Sequence, residues 1–393
     1  MNGGGQKRIR TLVVDDSALV RRIVQESLAD EPDIEVVGTA ADPYEARDRI
    51  LELQPDVVTL DINMPRMDGL TFLRLLMKHR PTRVVIMSSH TGSATAVAME
   101  ALEAGAIDFI GKPSGSFSAH SDGQALATKI RAAAQARIRR PVEPAPAQRP
   151  PSAPRVADSP APAPAAPQAS RSLSDVHRVA AALNPPAAKP PPRPPGPRTR
   201  DVILIGSSTG GTEALREILT PLPTHLPGIC IVQHIPARFS AALAGRLDTL
   251  CQIRVKEAEA GDRVEPGTAL IAPGGFHMTL HWRGDHHVVE LNEGPLVHHQ
   301  RPSVDILFES ALRTGSAAST LAVILTGMGV DGASGMKHLR DAGAFTVAQD
   351  EESCAVFGMP RAAIEAGGVD EVLPLDRIAE RIARGRRPAA VPA

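Results

Sequence analysis

Gly206-Ser207-Ser208-Thr209-Gly210-Gly211 sets two serine hydroxyls in a turn of small residues. The preceding Asp201-Val-Ile-Leu-Ile reads as a short buried strand, and residues 212–219 continue at helical spacing. The hydroxyls therefore stand at a strand-turn-helix corner, beside helix amides that favour negative charge. The segment fits the G-x-S-x-G pattern of a nucleophile elbow. Two other readings stay open: a phosphate cradle, since glycine-rich turns before helices bind anions, and a plain tight turn. The three-glycine dinucleotide spacing and the Walker lysine are both missing. Spacing does not choose between Ser207 and Ser208.

A serine hydroxyl is a poor nucleophile near pH 7 unless an imidazole takes its proton and a carboxylate steadies that imidazole. His234 and Asp331 also lie just past the carboxyl ends of hydrophobic strands, Asp331 in the loop 326–332, so a parallel sheet would gather them with the serine at one edge. Asp331 could instead cap the next helix, and His234, two residues before Pro236, could be a hydrogen-bonded loop histidine. Nine of the 13 histidines lie beyond residue 224, but none shares a helix or a cysteine in a metal-type spacing. The order serine, histidine, acid differs from that of α/β-hydrolases, so the elbow alone does not set the fold.

A second constellation lies nearer the N-terminus, with Asp15 and Asp16, Asp61, Ser88 and Lys112 each directly after a predicted strand. Three converging carboxylates repel one another unless a cation sits among them, and Mg²⁺ suits oxygen donors best. Lysine and serine can then bind an anion on the middle carboxylate, which is the equipment for forming and sensing an aspartyl phosphate. Taken singly these residues read as caps and turns; as a set at four strand ends they do not.

The elements that must position these groups alternate. Strands at 11–14, 35–39, 56–60, 83–87 and 107–110 and helices at 18–28, 43–53, 70–78, 94–103 and 124–137 predict a five-stranded parallel sheet covered on both faces. Ligands of such sheets gather at the carboxyl ends of the strands. Beyond residue 201 strands are expected at 228–233, 269–272, 321–325 and 345–349. A hairpin at 278–283 and 286–291 and helices at 212–219, 240–250, 303–313 and 335–342 complete a doubly wound, mainly parallel domain.

Composition separates the two. Of the 36 prolines 18 fall between Pro141 and Pro197, in a stretch too poor in apolar residues to fold. The expected division is 8–136, a linker over 137–200, and 201–385. One helical pattern, Leu173, Val176, Val179, Ala180 and Leu183, interrupts the linker. Segment 137–200 is net +8 and segment 201–385 net −8, so a DNA-binding output is disfavoured. Cys230, Cys251 and Cys354 have no metal spacing, and no apolar run reaches membrane-spanning length. A cytoplasmic protein without membrane insertion is expected.

Val14-Asp15-Asp16-Ser17, Leu60-Asp61-Ile-Asn-Met64-Pro65, Met87-Ser88-Ser89 and Ala106-Ile-Asp-Phe-Ile110-Gly-Lys112-Pro113 resemble the receiver domain of two-component response regulators, a flavodoxin-like fold. The resemblance implies that Asp61 is the phospho-acceptor, that Asp15, Asp16 and Asp61 hold Mg²⁺, and that Ser88 and Lys112 contact the phosphoryl group. Ile205-Gly-Ser-Ser208-Thr-Gly-Gly-Thr212, Val232-Gln-His234-Ile-Pro236, Arg301-Pro-Ser303-Val-Asp305 and Leu325-Thr-Gly-Met-Gly329-Val-Asp331-Gly332 are similar to the CheB family of chemotaxis protein-glutamate methylesterases. That resemblance implies a triad of Ser208, His234 and Asp331; backbone N–H groups in the glycine-rich turns around Thr209 and Met328 could hold the oxyanion. It further implies glutamate γ-methyl esters on cytoplasmic chemoreceptor helices as substrate, related glutamine deamidation, and a chemotaxis histidine kinase as phosphodonor. The sequence departs at Val330, where the family usually has asparagine, and in the length of the linker. The rival reading is a regulator that only binds protein or nucleotide.

Overall fold

The structure, a computed structural model, describes residues 7–88, 92–112, 119–138, 200–237 and 239–385. The helical pattern of Ser172 to Leu183, and Ser89 and Pro113 of the motifs, lie outside the described residues.

The first half builds β1 (Ile9–Val14), α1 (Ala18–Ala29), β2 (Ile34–Ala40), α2 (Pro43–Leu53), β3 (Val57–Asp61), α3 (Gly69–His79), β4 (Arg83–Ser88), α4 (Gly92–Glu103), β5 (Asp108–Gly111) and α5 (Ala119–Gln135). The sheet order is β2-β1-β3-β4-β5, and every pairing is parallel. Successive strand side chains point to opposite faces, and the core divides accordingly. Leu12, Val14, Leu60 and Ile86 pack beneath α2, α3 and α4, whereas Val13, Val57, Val85 and Met87 pack against α1 and α5. The strand order reverses between β1 and β3, which brings Asp15 and Asp61 to one crevice.

The second half continues with β6 (Val202–Ser207), α6 (Gly211–Leu219), β7 (Ile229–Gln233), α7 (Phe239–Leu250), β8 (Arg254–Glu257), β9 (Thr268–Ile271), β10 (His277–Arg283), β11 (His286–Asn292) and α8 (Val304–Arg313). It closes with β12 (Thr320–Ile324), α9 (Ala333–Asp341), β13 (Phe345–Gln349), α10 (Met359–Glu365), β14 (Glu371–Leu373) and α11 (Leu375–Ala383). Seven parallel strands run in the order β14-β13-β12-β6-β7-β9-β8, and β10 and β11 form a separate antiparallel hairpin. Ile203, Ile205, Ile231 and Val323 face α6, α7 and α11, while Leu204, Val232, Ala322 and Ile324 face α8, α9, α10 and the hairpin.

The sequence reading omitted β8, β14, α10 and α11. The two strands are edges, and Val255 is the only fully buried residue of β8 and none of β14 is, so neither carries the apolar run that marks a central strand. Chain direction along the sheet reverses at β6, with β7 on one side and β12 on the other. The loops after β6, β7 and β12 meet at that switch, the usual place for a ligand in such a sheet.

Candidate active site

The corner at residues 207–211 forms as expected. Gly210 adopts φ +78, a left-handed conformation that costs glycine little. At Gly211 a Cβ would come within 2.2 Å of Gln233 Oε1 and 2.7 Å of the Ser207 Cβ, so a side chain there would push α6 off the strand ends. The Ser208 amide donates to Thr326 O at 3.0 Å, and the Ser208 carbonyl accepts from Gly211 N at 2.7 Å. The register Ser207↔Gln233 places Ser208 opposite His234 on the neighbouring strand.

His234 is buried, and its Nε2 meets Asp331 Oδ2 at 2.8 Å. An ionised carboxylate only accepts, so Nε2 carries the hydrogen and Nδ1 keeps its lone pair. Nδ1 is buried and has no hydrogen-bond partner. The structure thus joins His234 to Asp331 and places Ser208 at the adjacent strand end, while the bond from the Ser208 hydroxyl to Nδ1 is not made.

Asp331 does not cap the helix that follows it. The cap of α9 is Gly332, which makes no side-chain bond. The Asp331 carboxylate lies instead at the start of α8, accepting from Val304 N at 2.7 Å, Asp305 N at 3.0 Å and the Ser303 hydroxyl at 2.8 Å. Burial works against its charge, but His234 and these donors prevail and hold its pKa below the ordinary carboxylate value. A depressed carboxylate contributes stability that is complete above its unfolded pKa of about 3.9 and is lost as pH falls through the folded value. Asp331→Asn should therefore flatten the fall of melting temperature below pH 4 relative to the parent, as read by a thermal melt series from pH 7 to 3.

The histidine-rich segment forms no histidine cage among the described residues. His287 bonds Arg200 O and Ser316, His286 pairs with Asp285, and His277 bonds Pro295 O. Donor atoms of His298, Asp305 and Asp331 lie within 4.8 Å of one another. Asp305 already accepts from Gly335 N, and Asp331 is committed as described. Sequence reasoning missed Gln233 and Ser303. The first is a polar residue closing an apolar strand, and the second is a helix cap recognisable from its serine before Val-Asp-Ile-Leu.

In the receiver, Asp15 and Asp61 are buried, Asp16 is exposed, and carboxylate oxygens of the three lie within 4.8 Å of one another. Lys112 Nζ stands 2.8 Å from both Asp15 Oδ2 and Asp61 Oδ2. Burial and the charge of Asp15 raise the Asp61 pKa despite that ammonium. Ser88 ends the adjacent β4, and its carbonyl accepts from Lys112 N at 2.8 Å. Asp15, Asp16, Asp61 and Lys112 meet at one strand edge, and Ser88 ends the strand beside them. The crowding of oxygen donors, with one carboxyl pushed towards its neutral form, fits a small divalent cation.

A contact foreseen by no motif links the two sheets, which belong to one compact unit. Thr209, next to Ser208, donates its hydroxyl to receiver Asp108 Oδ2 at 2.6 Å, and Lys129 Nζ holds the same oxygen at 2.8 Å. The Phe109 and Phe239 rings stack with centroids 4.4 Å apart, and α4 packs on α6 and α7. Arg137 N donates to Ala355 O at 3.1 Å, and Arg246 pairs with Glu103 at 2.8 Å on the rim. Met328 packs against the receiver's α1/α5 core.

A family model described as CheB methylesterase matches residues 203–382, and one for the response regulator receiver domain matches residues 11–135. A protein-glutamate methylesterase/protein-glutamine glutaminase of Syntrophus aciditrophicus is 46% identical over 96% of this chain and 99% of its own. One of a group 3 operon of Bradyrhizobium diazoefficiens is 47% identical, covering 96% of each chain. The CheB methylesterase catalytic domain of Thermotoga maritima, a crystal structure, is 41% identical over 47% of this chain and 97% of that one, with a TM-score of 0.46.

Proposed function

The chain belongs to the CheB methylesterase family, with a response regulator receiver domain ahead of the esterase, and from that premise we propose that it hydrolyses glutamate γ-methyl esters on chemoreceptor helices under the control of phosphorylation at Asp61. Glutamine deamidation by the same site accompanies it. The observation that carries the reading is the buried His234–Asp331 pair, its Nδ1 left open, at the strand end next to that of Ser208. The site division is 8–136 for the receiver, 137–200 for the linker and 201–385 for the esterase.

Ser208 attacks the ester carbonyl as His234 Nδ1 takes its proton, and Asp331 stabilises the imidazolium that results. The amides of Thr209 and Met328 hold the oxyanion, a donor usually worth about 3 kcal/mol. Methanol leaves with the proton from Nδ1. Water, deprotonated by the same nitrogen, then releases the glutamate and restores the hydroxyl. With glutamine as substrate, ammonia is the first product.

Asp15, Asp16 and Asp61 would hold Mg²⁺, which supplies positive charge at the carboxylate that is phosphorylated. Lys112 and Ser88 contact the phosphoryl group, and a chemotaxis histidine kinase donates it. No described helix is long and apolar enough to cross a membrane, which supports a cytoplasmic enzyme working on the cytoplasmic part of its receptors.

The deciding assay is methanol release from methylated receptor membranes with and without a small phosphodonor. Release that stays at the uncatalysed rate under both conditions rejects the proposal. Asp61→Asn should keep basal release within about twofold and lose all stimulation by the phosphodonor, since Asp61 lies in the other domain and takes no part in ester cleavage. Stimulation that survives in this variant places the phosphorylation elsewhere.

A further inference from the structure

Gln233 is the last residue of β7, 2% exposed, and its side chain reaches both residues that carry the reacting groups. Its Nε2 donates to Ser208 O at 2.8 Å and to His234 O at 3.2 Å, and its Oε1 accepts from the Ser207 hydroxyl at 2.7 Å. Two carbonyls facing one end of the amide fix its orientation, because the reverse would set three acceptors together. The His234 amide completes the bridge by donating to Ser207 O at 3.0 Å. The start of α6 seals the amide in, with Gly211 the only residue type that fits against Oε1.

We infer that Gln233 is the positioning residue of the oxyanion site: by holding the Ser208 carbonyl inwards it aims the Thr209 N–H of the same peptide plane outwards at the reacting carbonyl. A trans peptide is planar, with C=O and N–H pointing oppositely, so anchoring one sets the other. The Ser208 oxygen is held twice, by Gly211 N and by Gln233. Hydrogen bonds to a carbonyl also polarise the N–H across the amide, strengthening it as a donor. The bond to the His234 carbonyl ties the base to the same anchor, so nucleophile, base and oxyanion donor share one carboxamide. Ser207 is the partner that locks the carboxamide, which gives the second serine of the pair a role.

The inference rests on the esterase reading, and two measurements on the full chain separate them. The first is methanol release from methylated receptor membranes; the second is the rate at which a phosphonofluoridate labels Ser208, which needs the serine, the base and the oxyanion site but no receptor. Gln233→Glu keeps the shape and replaces the donor by a carboxylate oxygen. It should lower kcat by about 100-fold with KM within about threefold, and slow labelling in proportion, the size expected for one oxyanion donor. A far-UV circular dichroism spectrum and a thermal transition matching the parent's report that the esterase domain is folded. Ser207→Ala leaves the Nε2 bonds but frees the amide to turn, and should lower kcat about fivefold at unchanged KM. Folded Gln233→Glu with kcat and labelling within about threefold of the parent overturns the inference. If that variant does not fold, an unchanged kcat and labelling rate in Ser207→Ala overturns it. A parent that labels at Ser208 but releases no methanol sinks the esterase reading alone.

Discussion

Ser208→Ala is expected to lower methanol release from methylated receptors by at least about 10⁴-fold, leaving only what the oxyanion amides and binding provide. The reason lies in the partition of the two serines. The Ser207 hydroxyl is spent on Gln233 inside the sheet, whereas Ser208 lies at the strand end opposite His234. Ser207→Ala should accordingly cost far less than Ser208→Ala, and the reverse ranking would move the nucleophile. His234→Ala should match Ser208→Ala, and the double variant should be no worse than either, because the pair acts as one unit. Asp331→Asn is expected to lose about 10³- to 10⁴-fold, as loss of the orienting carboxylate does in serine triads. The asparagine amide cannot accept from all the donors that now converge on Asp331, so part of this loss will come with displacement of the start of α8.

Asp108→Ala in the full-length, unphosphorylated chain should raise basal methanol release by about tenfold or more. Thr209 belongs to the nucleophile turn, and the Asp108 carboxylate grips its hydroxyl from the receiver in a buried contact. A hydrogen bond to a charged group contributes about 1.5–3 kcal/mol, which corresponds to roughly a 10- to 100-fold bias towards the closed arrangement. The exposed Arg246–Glu103 pair contributes little, as surface ion pairs do. Removing residues 1–140 should reach the same raised level or exceed it, since the Phe109–Phe239 stack is lost as well. A double-mutant cycle of Asp108→Ala with Thr209→Ala tests the contact itself. If both act through it, the combined effect on the ratio of basal to phosphodonor-stimulated rate falls short of the product of the two single effects. Basal rates that stay at the parent level in Asp108→Ala and in the truncation would refute the covering role of the receiver.

Much of this molecule can be read from local pattern. Alternating apolar runs and helical spacing give both parallel sheets, because a strand buried on two faces must be continuously apolar and its crossover must be a helix. The same pattern places the candidate site residues, since residues just past the carboxyl ends of such strands share one edge of the sheet. Asp15, Asp16, Asp61, Ser88 and Lys112 gather in this way, as do Ser208, His234 and Asp331. β8 and β14 have no core-facing run and were invisible to pattern: they bury almost nothing and exist because the sheet offers them an edge. By contrast α11, with Leu375, Ile378 and Ile382 buried at helical spacing, was legible and missed.

Three things only the folded chain decides. Asp331 lies at the start of α8, some 27 residues before it in sequence, because helix amides and a carboxylate find each other through space. Ser207 and Ser208 differ by one step along a strand, and the alternation of faces sends one hydroxyl into the Gln233 bridge while the other stays at the rim. The hold of Asp108 on Thr209 joins residues 101 positions apart. Pattern along a chain records which face a residue occupies; which partner waits on that face is set by the packing of layers.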